Sequence, residues 1–249
     1  MKTLFVGNSH LKAIEDAASD ANKKMGASQL EFLQLRNPQF RPFITDEKHP
    51  KLCAPVRDAI LKKTLGKDFI VSVVQGAEHH KMGLSNHERK FDFVTQSECS
   101  VELGDNTMLI PRQFVEYRLN QLLNLMRISL SEMRSIVPKN ITLYHLESPA
   151  PIPLNEYIVN NPGPFKQVFE TRGVASPRLR QKIWKVHSNM VKRICEENEV
   201  IHIPSPFKSM DGEGFLREEY WGVDPVHGNA AFGKLVLDDI LKRLGGSEI

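Results

Sequence analysis

The amino-acid sequence predicts an α/β fold, a three-layer α/β/α sandwich built on a five-stranded parallel sheet with flavodoxin-like winding. Three observations predict it. Short apolar runs alternate with longer stretches of helical period, the pattern of repeated βαβ units. The 249 residues are 41% hydrophobic and 25% charged, enough to bury a sizeable core as one domain over 1–249. No internal repeat or low-complexity stretch interrupts the alternation.

The strand-like runs are Thr3 to Gly7, Leu30 to Leu35, Phe69 to Gln75, Ile141 to Leu146 and Val200 to Ile203. Between them, helical periodicity covers Leu11 to Met25, Leu52 to Leu65, Phe114 to Val137, Pro177 to Asn198 and Asn229 to Leu244. In the third of these, Leu119, Leu122, Leu123, Met126, Leu130 and Met133 form an apolar stripe that reads as core packing. In the last, Phe232, Val236, Ile240 and Leu244 fall four apart and present one face to the sheet. Right-handed crossovers and the commonest doubly wound order put the first strand near the sheet centre. Ligands then bind beyond the carboxyl ends of the strands.

Two segments depart from simple alternation. Residues 91–110 hold short β-like runs around Gly104-Asp105-Asn106, which predicts an inserted hairpin. Residues 147–176 are long and proline-rich, with Pro149, Pro151, Pro153, Pro162 and Pro164, and predict a loop at the rim of a site.

The charge balance, 33 basic against 30 acidic residues, predicts no polyanionic partner, so nucleic acid is not expected. The densest basic run, Arg178 to Arg193, carries Leu179, Ile183, Val186, Met190 and Ile194 at helical spacing and reads as the solvated face of a packed helix. Cys53, Cys99 and Cys195 are odd in number, widely spaced and without CxxC pairing, which predicts reduced thiols. Met1-Lys2 leads straight into a strand, and no run approaches a membrane span, so the expected location is cytoplasmic, away from membranes.

The residues with chemical potential stand at the two ends of the chain. The first strand runs into Gly7-Asn8-Ser9-His10 and then a helix, placing the Ser9 hydroxyl beside unpaired N–H groups that stabilise developing negative charge. The same position suits a simple helix cap. Near the other end, Trp221-Gly222-Val223-Asp224-Pro225-Val226-His227 opens the last helix. A serine hydroxyl needs a base to remove its proton, and histidine with an orienting carboxylate supplies one. Read without that partnership, Asp224 is a turn former and His227 a loop histidine.

Gly7-Asn8-Ser9-His10 after the first strand, with Asp224-x-x-His227 at the last helix and five strands between, resembles the SGNH (GDSL-like) hydrolase superfamily. The resemblance implies an esterase in which Ser9 attacks an acyl carbonyl, His227 acts as general base and then acid, and Asp224 orients His227. It also implies an oxyanion held by the Ser9 N–H, a glycine after the second strand and an asparagine after the third. Here the second strand is followed by Arg36-Asn37-Pro38, with no glycine between Gly26 and Gly66, so the Asn37 amide is the candidate replacement. The third is followed by Gln75-Gly76-Ala77-Glu78-His79-His80, where no asparagine stands. His79 or Gln75 is the candidate donor, and loss of one donor costs roughly 10²- to 10³-fold in rate. Gly76, Ala77, His79 and Trp221 complete the set of candidate oxyanion and substrate contacts, with His80 a further neighbour of the strand end. His79, His80, His87 and Glu78 follow no zinc spacing, so neither metal nor cofactor is expected.

Three functions stay open on these residues. The first is hydrolysis of a small acyl ester, an O-acetylated carbohydrate by the resemblance. The others are acyl transfer to a sugar hydroxyl through the same triad, and a degenerate domain that binds a glycan or partner without turnover.

Overall fold

The computed structural model describes residues 2–25, 30–45, 48, 50–95, 98, 100 and 102–245. Its main sheet comprises β1 (Thr3–Gly7), β2 (Leu30–Gln34), β3 (Phe69–Val73), β4 (Thr142–Leu146) and β5 (Ile201–Ile203), all parallel, in the order β2-β1-β3-β4-β5. The helices are α1 (Leu11–Met25), α2 (Ala54–Thr64), α3 (His80–Gly83), α4 (Arg112–Leu122), α5 (Asn124–Ile136), α6 (Asn155–Asn160), α7 (Lys166–Arg172), α8 (Pro177–Glu197) and α9 (Ala230–Arg243).

Both faces of the sheet are covered, which is why its strands are nearly continuously apolar. Side chains alternate between faces along each strand. Leu4 and Val6 of β1, with Ile70 and Leu143, pack against Val56 and Ile60 of α2, Leu130 of α5 and Ile183 and Val191 of α8. Phe5, Val71, Leu146 and Ile203 point the other way, into Leu11 and Ile14 of α1 and Val236 and Ile240 of α9. Helix α8 starts cleanly because Ser176 Oγ accepts from Leu179 N at 3.2 Å and Pro177 occupies the first helical position.

The α1–α9 contact sets the geometry of the candidate site, because Ser9 precedes α1 and His227 precedes α9. Gly233 permits it. A Cβ built there would lie 1.9 Å from the Ala13 carbonyl oxygen, so the two backbones touch where any side chain would separate them. Gly233→Ala is expected to destabilise the protein by ~3 kcal/mol or more. Urea unfolding of the two proteins checks this, and equal midpoints would mean that the helices move apart freely.

Three segments differ from the sequence reading. Residues 91–110 form no hairpin: Lys90–Asp92 pairs with Thr107–Leu109 in parallel, Phe91 opposite Met108. The turn at 104–106, with Asn106 at φ 55°, precedes the second strand and does not join the two as a hairpin would. Residues 147–176 are not one loop, since α6 and α7 lie inside it and bury Ile158 and Phe169 beneath them. Their single buried apolar residues gave too little periodicity to read. The helix expected over 114–137 is two, broken at Leu123 by a tight turn (φ −78°, ψ −1°). Leu123 is fully buried, so the break keeps both apolar rows against the core without proline or glycine. Cys53 and Cys195 are buried free thiols, whereas Cys99 lies outside the described residues. Among the described residues no helix is long and apolar enough to cross a membrane.

Candidate active site

Ser9 stands at the carboxyl end of β1, in the turn that starts α1. Leu11 N donates to Asn8 O at 3.1 Å and Lys12 N to Ser9 O at 3.2 Å, so the turn is closed by backbone bonds and the Ser9 side chain is not consumed as a cap. The Ser9 residue is partly exposed. Its own N–H has no protein acceptor among the described residues and remains at the positive end of α1.

Asp224 and His227 form a tight pair. Asp224 Oδ1 accepts from the amides of Val226 at 2.9 Å and His227 at 3.0 Å, which folds the Asp-Pro-Val-His segment into a turn around the carboxylate. His227 Nδ1 donates to the same carboxylate, 2.9 Å from Oδ1 and 2.8 Å from Oδ2. Burial raises the Asp224 carboxyl, but the bonds from the His227 ring and the two amides outweigh it and hold it at about 2. An ionised acceptor at Nδ1 selects the tautomer whose lone pair is on Nε2. That Nε2 is enclosed and has no protein partner. Asn229 then fixes the start of α9, its Oδ1 accepting from Ala231 N at 2.9 Å and Phe232 N at 3.1 Å.

The two ends of the chain meet through His10. Its ring lies 4.6 Å from that of His227, tilted by 41°, so His227 packs on the residue that follows Ser9. No hydrogen bond joins Ser9 Oγ to His227 Nε2 among the described residues. The Ser9 hydroxyl and the His227 ring are thus not hydrogen-bonded to each other, although the rings of His10 and His227 are in contact.

Of the remaining candidates, Gly76 and Ala77 follow β3 in the turn that Gln75 (φ 55°) and Gly76 (φ 98°) make, and that turn leads into α3. His79 is turned inward: it is 2% exposed and its ring lies 3.8 Å from that of His80 and 4.8 Å from that of His187. Glu78 pairs with Lys81 at 2.5 Å, which meets its charge locally. Asn37 is exposed and caps a short 3₁₀ turn, its Oδ1 accepting from Gln39 N at 3.1 Å, and no contact links it to Ser9 or His227. Trp221 is half-buried. Its Nε1 donates to Leu216 O at 2.7 Å and its ring lies 4.6 Å from that of Tyr157, so much of its surface is engaged within the protein.

Residues not singled out by the sequence also shape the site. Tyr157 of α6 donates its hydroxyl to Gly222 O, and Gly222 N donates to His227 O at 2.9 Å. A Cβ at Gly222 would lie 2.2 Å from that oxygen, so only glycine lets the chain cross itself behind His227. Glu147 and Ser148 follow β4 and, with His10 and Gln75, line a small cavity beside α9. A tyrosine on a short helix and a histidine beside a serine carry no pairing signal in sequence, because Gly222 lies 65 residues from Tyr157 and His227 lies near the opposite end of the chain from His10.

Five histidines, His10, His79, His80, His145 and His187, have imidazoles pushed well below the ordinary value, first of all by burial. They are therefore neutral near pH 7. Among the described residues no group of three or more histidine, cysteine, aspartate or glutamate side chains is arranged to hold a metal ion.

No family model and no curated protein matches the chain. Among solved structures, a Streptococcus pneumonia protein assigned as a platelet activating factor aligns at 13% identity over 98% of this chain and 83% of its own, with a TM-score of 0.50. The likeness is one of fold. A Bacteroides fragilis protein assigned as an acylhydrolase aligns at 10% identity over 98% and 86% of the two chains, with a TM-score of 0.43. A GDSL-like lipase from Bacteroides thetaiotaomicron aligns at 11% identity over the same shares, with a TM-score of 0.42.

Proposed function

We propose that the protein is a serine hydrolase of the SGNH type that cleaves a small acyl ester, with Ser9 as nucleophile, His227 as general base and acid, and Asp224 as its orienting carboxylate. One observation carries the reading: the ionised Asp224 holds His227 through Nδ1, leaving an unpartnered Nε2 on an imidazole that packs against the residue after Ser9. In the reaction Nε2 takes the Ser9 proton as Oγ bonds to the acyl carbon. His227 then returns that proton to the departing alcohol, and water repeats the sequence to release the acid. The Ser9 N–H at the start of α1 is the first oxyanion donor, and an amide of the Gly76–Ala77 turn, which follows the strand beside β1, is the candidate second. An O-acetylated carbohydrate is the substrate class that the resemblance suggests, and transfer of the acyl group to a sugar hydroxyl uses the same residues.

A second reading, a domain that binds an ester or glycan without turnover, is favoured by one observation, the open gap between Ser9 Oγ and Nε2. A fluorophosphonate separates the two. The hydrolase reading expects stoichiometric labelling of Ser9, located by peptide mass spectrometry, and none in Ser9→Ala. A wild-type protein that stays unlabelled at Ser9 would leave the binding domain as the better description.

A further inference from the structure

A groove of about 560 Å³ opens between α3, the Lys90–Asp92 and Thr107–Leu109 strands and α4. Its volume lies within the range of pockets that hold drug-sized ligands, roughly 300–1,000 Å³. Its apolar lining is Met82, Phe91, Met108, Ile110, Phe114 and Leu122. Two of these are conspicuously uncovered, Met108 at 45% and Phe114 at 53% exposure. Exposed apolar side chains gathered in one concavity with polar residues around it are the arrangement a ligand-binding groove needs.

The rim decides the ligand. Lys81, Arg89, Arg118 and Arg172 border the groove against a single acid, Glu88. Lys81 is neutralised by Glu78, but among the described residues no carboxylate pairs with Arg89, Arg118 or Arg172. Arg118 is bonded to Gln121, which is neutral. Three guanidinium groups thus surround an apolar floor with their charge unmet. The floor is also held rigid: His87 bonds Met82 O at 2.8 Å through Nε2 and sets its ring edge-on to Phe91 at 5.2 Å.

We propose that this groove binds a single-chain amphiphile with an oxyanion head group, the chain lying on Phe91, Met108 and Phe114 and the head held by Arg89, Arg118 and Arg172. Guanidinium forks match carboxylate and phosphate oxygens in pairs, and each methylene of the chain buried on the floor adds to the affinity. The proposal stands apart from the hydrolytic reading, since it uses none of Ser9, Asp224 or His227.

Titration with the fluorescent long-chain fatty acid parinaric acid tests it on the full chain. Wild type and Ser9→Ala are expected to give the same saturable rise in emission, weakened by added salt. The double variant Arg89→Glu/Arg118→Glu should bind about tenfold or more weakly. Phe114→Asp should do likewise through the floor, and both sites are exposed, so circular dichroism should show unchanged helix content. The corresponding long-chain alcohol should compete poorly. Absence of a saturable rise in wild type, equal competition by the alcohol, or unchanged affinity in both groove variants would each overturn the assignment.

Discussion

Ser9→Ala and His227→Ala are each expected to lower kcat for p-nitrophenyl acetate by about 10⁴-fold or more, to near the rate of the buffer. In the proposed mechanism the Ser9 Oγ proton leaves to the His227 imidazole, whose other nitrogen is committed to Asp224. Removing the nucleophile or its base therefore removes the covalent path entirely, and the two losses should be alike and not additive. Asp224→Asn leaves the turn but offers Nδ1 an amide, which permits the wrong tautomer, and a loss on the order of 10³- to 10⁴-fold follows. Kinetics of the three variants beside wild type, each with a thermal melt to show that it folds, check the series. Comparable activity in wild type and Ser9→Ala would end the assignment of Ser9 as nucleophile.

Acid should destabilise the fold steeply, beginning near pH 6.5 and not at the usual carboxylate range. His79, His145 and His187 are 2%, 0% and 0% exposed, and burial holds His145 and His187 at about 3. In the unfolded chain these imidazoles take up a proton near 6.5, whereas in the native state they refuse it. Their contribution to stability is therefore complete above about 6.5 and is lost as the pH falls toward the native values. Each costs about 1.4 kcal/mol per pH unit in that window, so three cost about 4 kcal/mol per unit, comparable over 1.5 units with the whole stability of many domains. Glu147, which burial raises, acts in the opposite sense, but it is one group against three. Asp224, held at about 2, loses its share only below about pH 4. The melting temperature is expected to drop by about 10–20 °C between pH 7.5 and 5. His187→Leu should flatten the slope by about 1.4 kcal/mol per pH unit, the share of one histidine. A melting temperature constant over that interval would show that protons reach these rings without unfolding.

The main strands and helices were readable because local rules act within a few residues. Burial on both faces made β1 a run of apolar residues, and α8 announced itself by an apolar row bounded by Ser176 and Pro177. Residues 91–110 were misread for a complementary reason. A turn signal at 104–106 is local, but whether the flanking runs pair antiparallel or parallel depends on where the intervening chain travels.

What the sequence determined by itself was the five-strand alternation and the two places, Gly7-Asn8-Ser9-His10 and Asp224 to His227, where side chains of triad chemistry stand at the ends of regular elements. Even the pairing of Asp224 with His227 is local, a turn of four residues closed by its own amides. Only the tertiary structure brought His227 onto His10, through the backbone contact of α9 with α1 at Gly233 and Ala13. It alone drew His79 inward to His187, left Asn37 capping a surface turn, and placed Arg89, Arg118 and Arg172 around one apolar floor. The physical reason is that propensity and capping are written in adjacent residues. Contact across the sheet depends on helix approach distances, which residues like Gly233 set without any local signature.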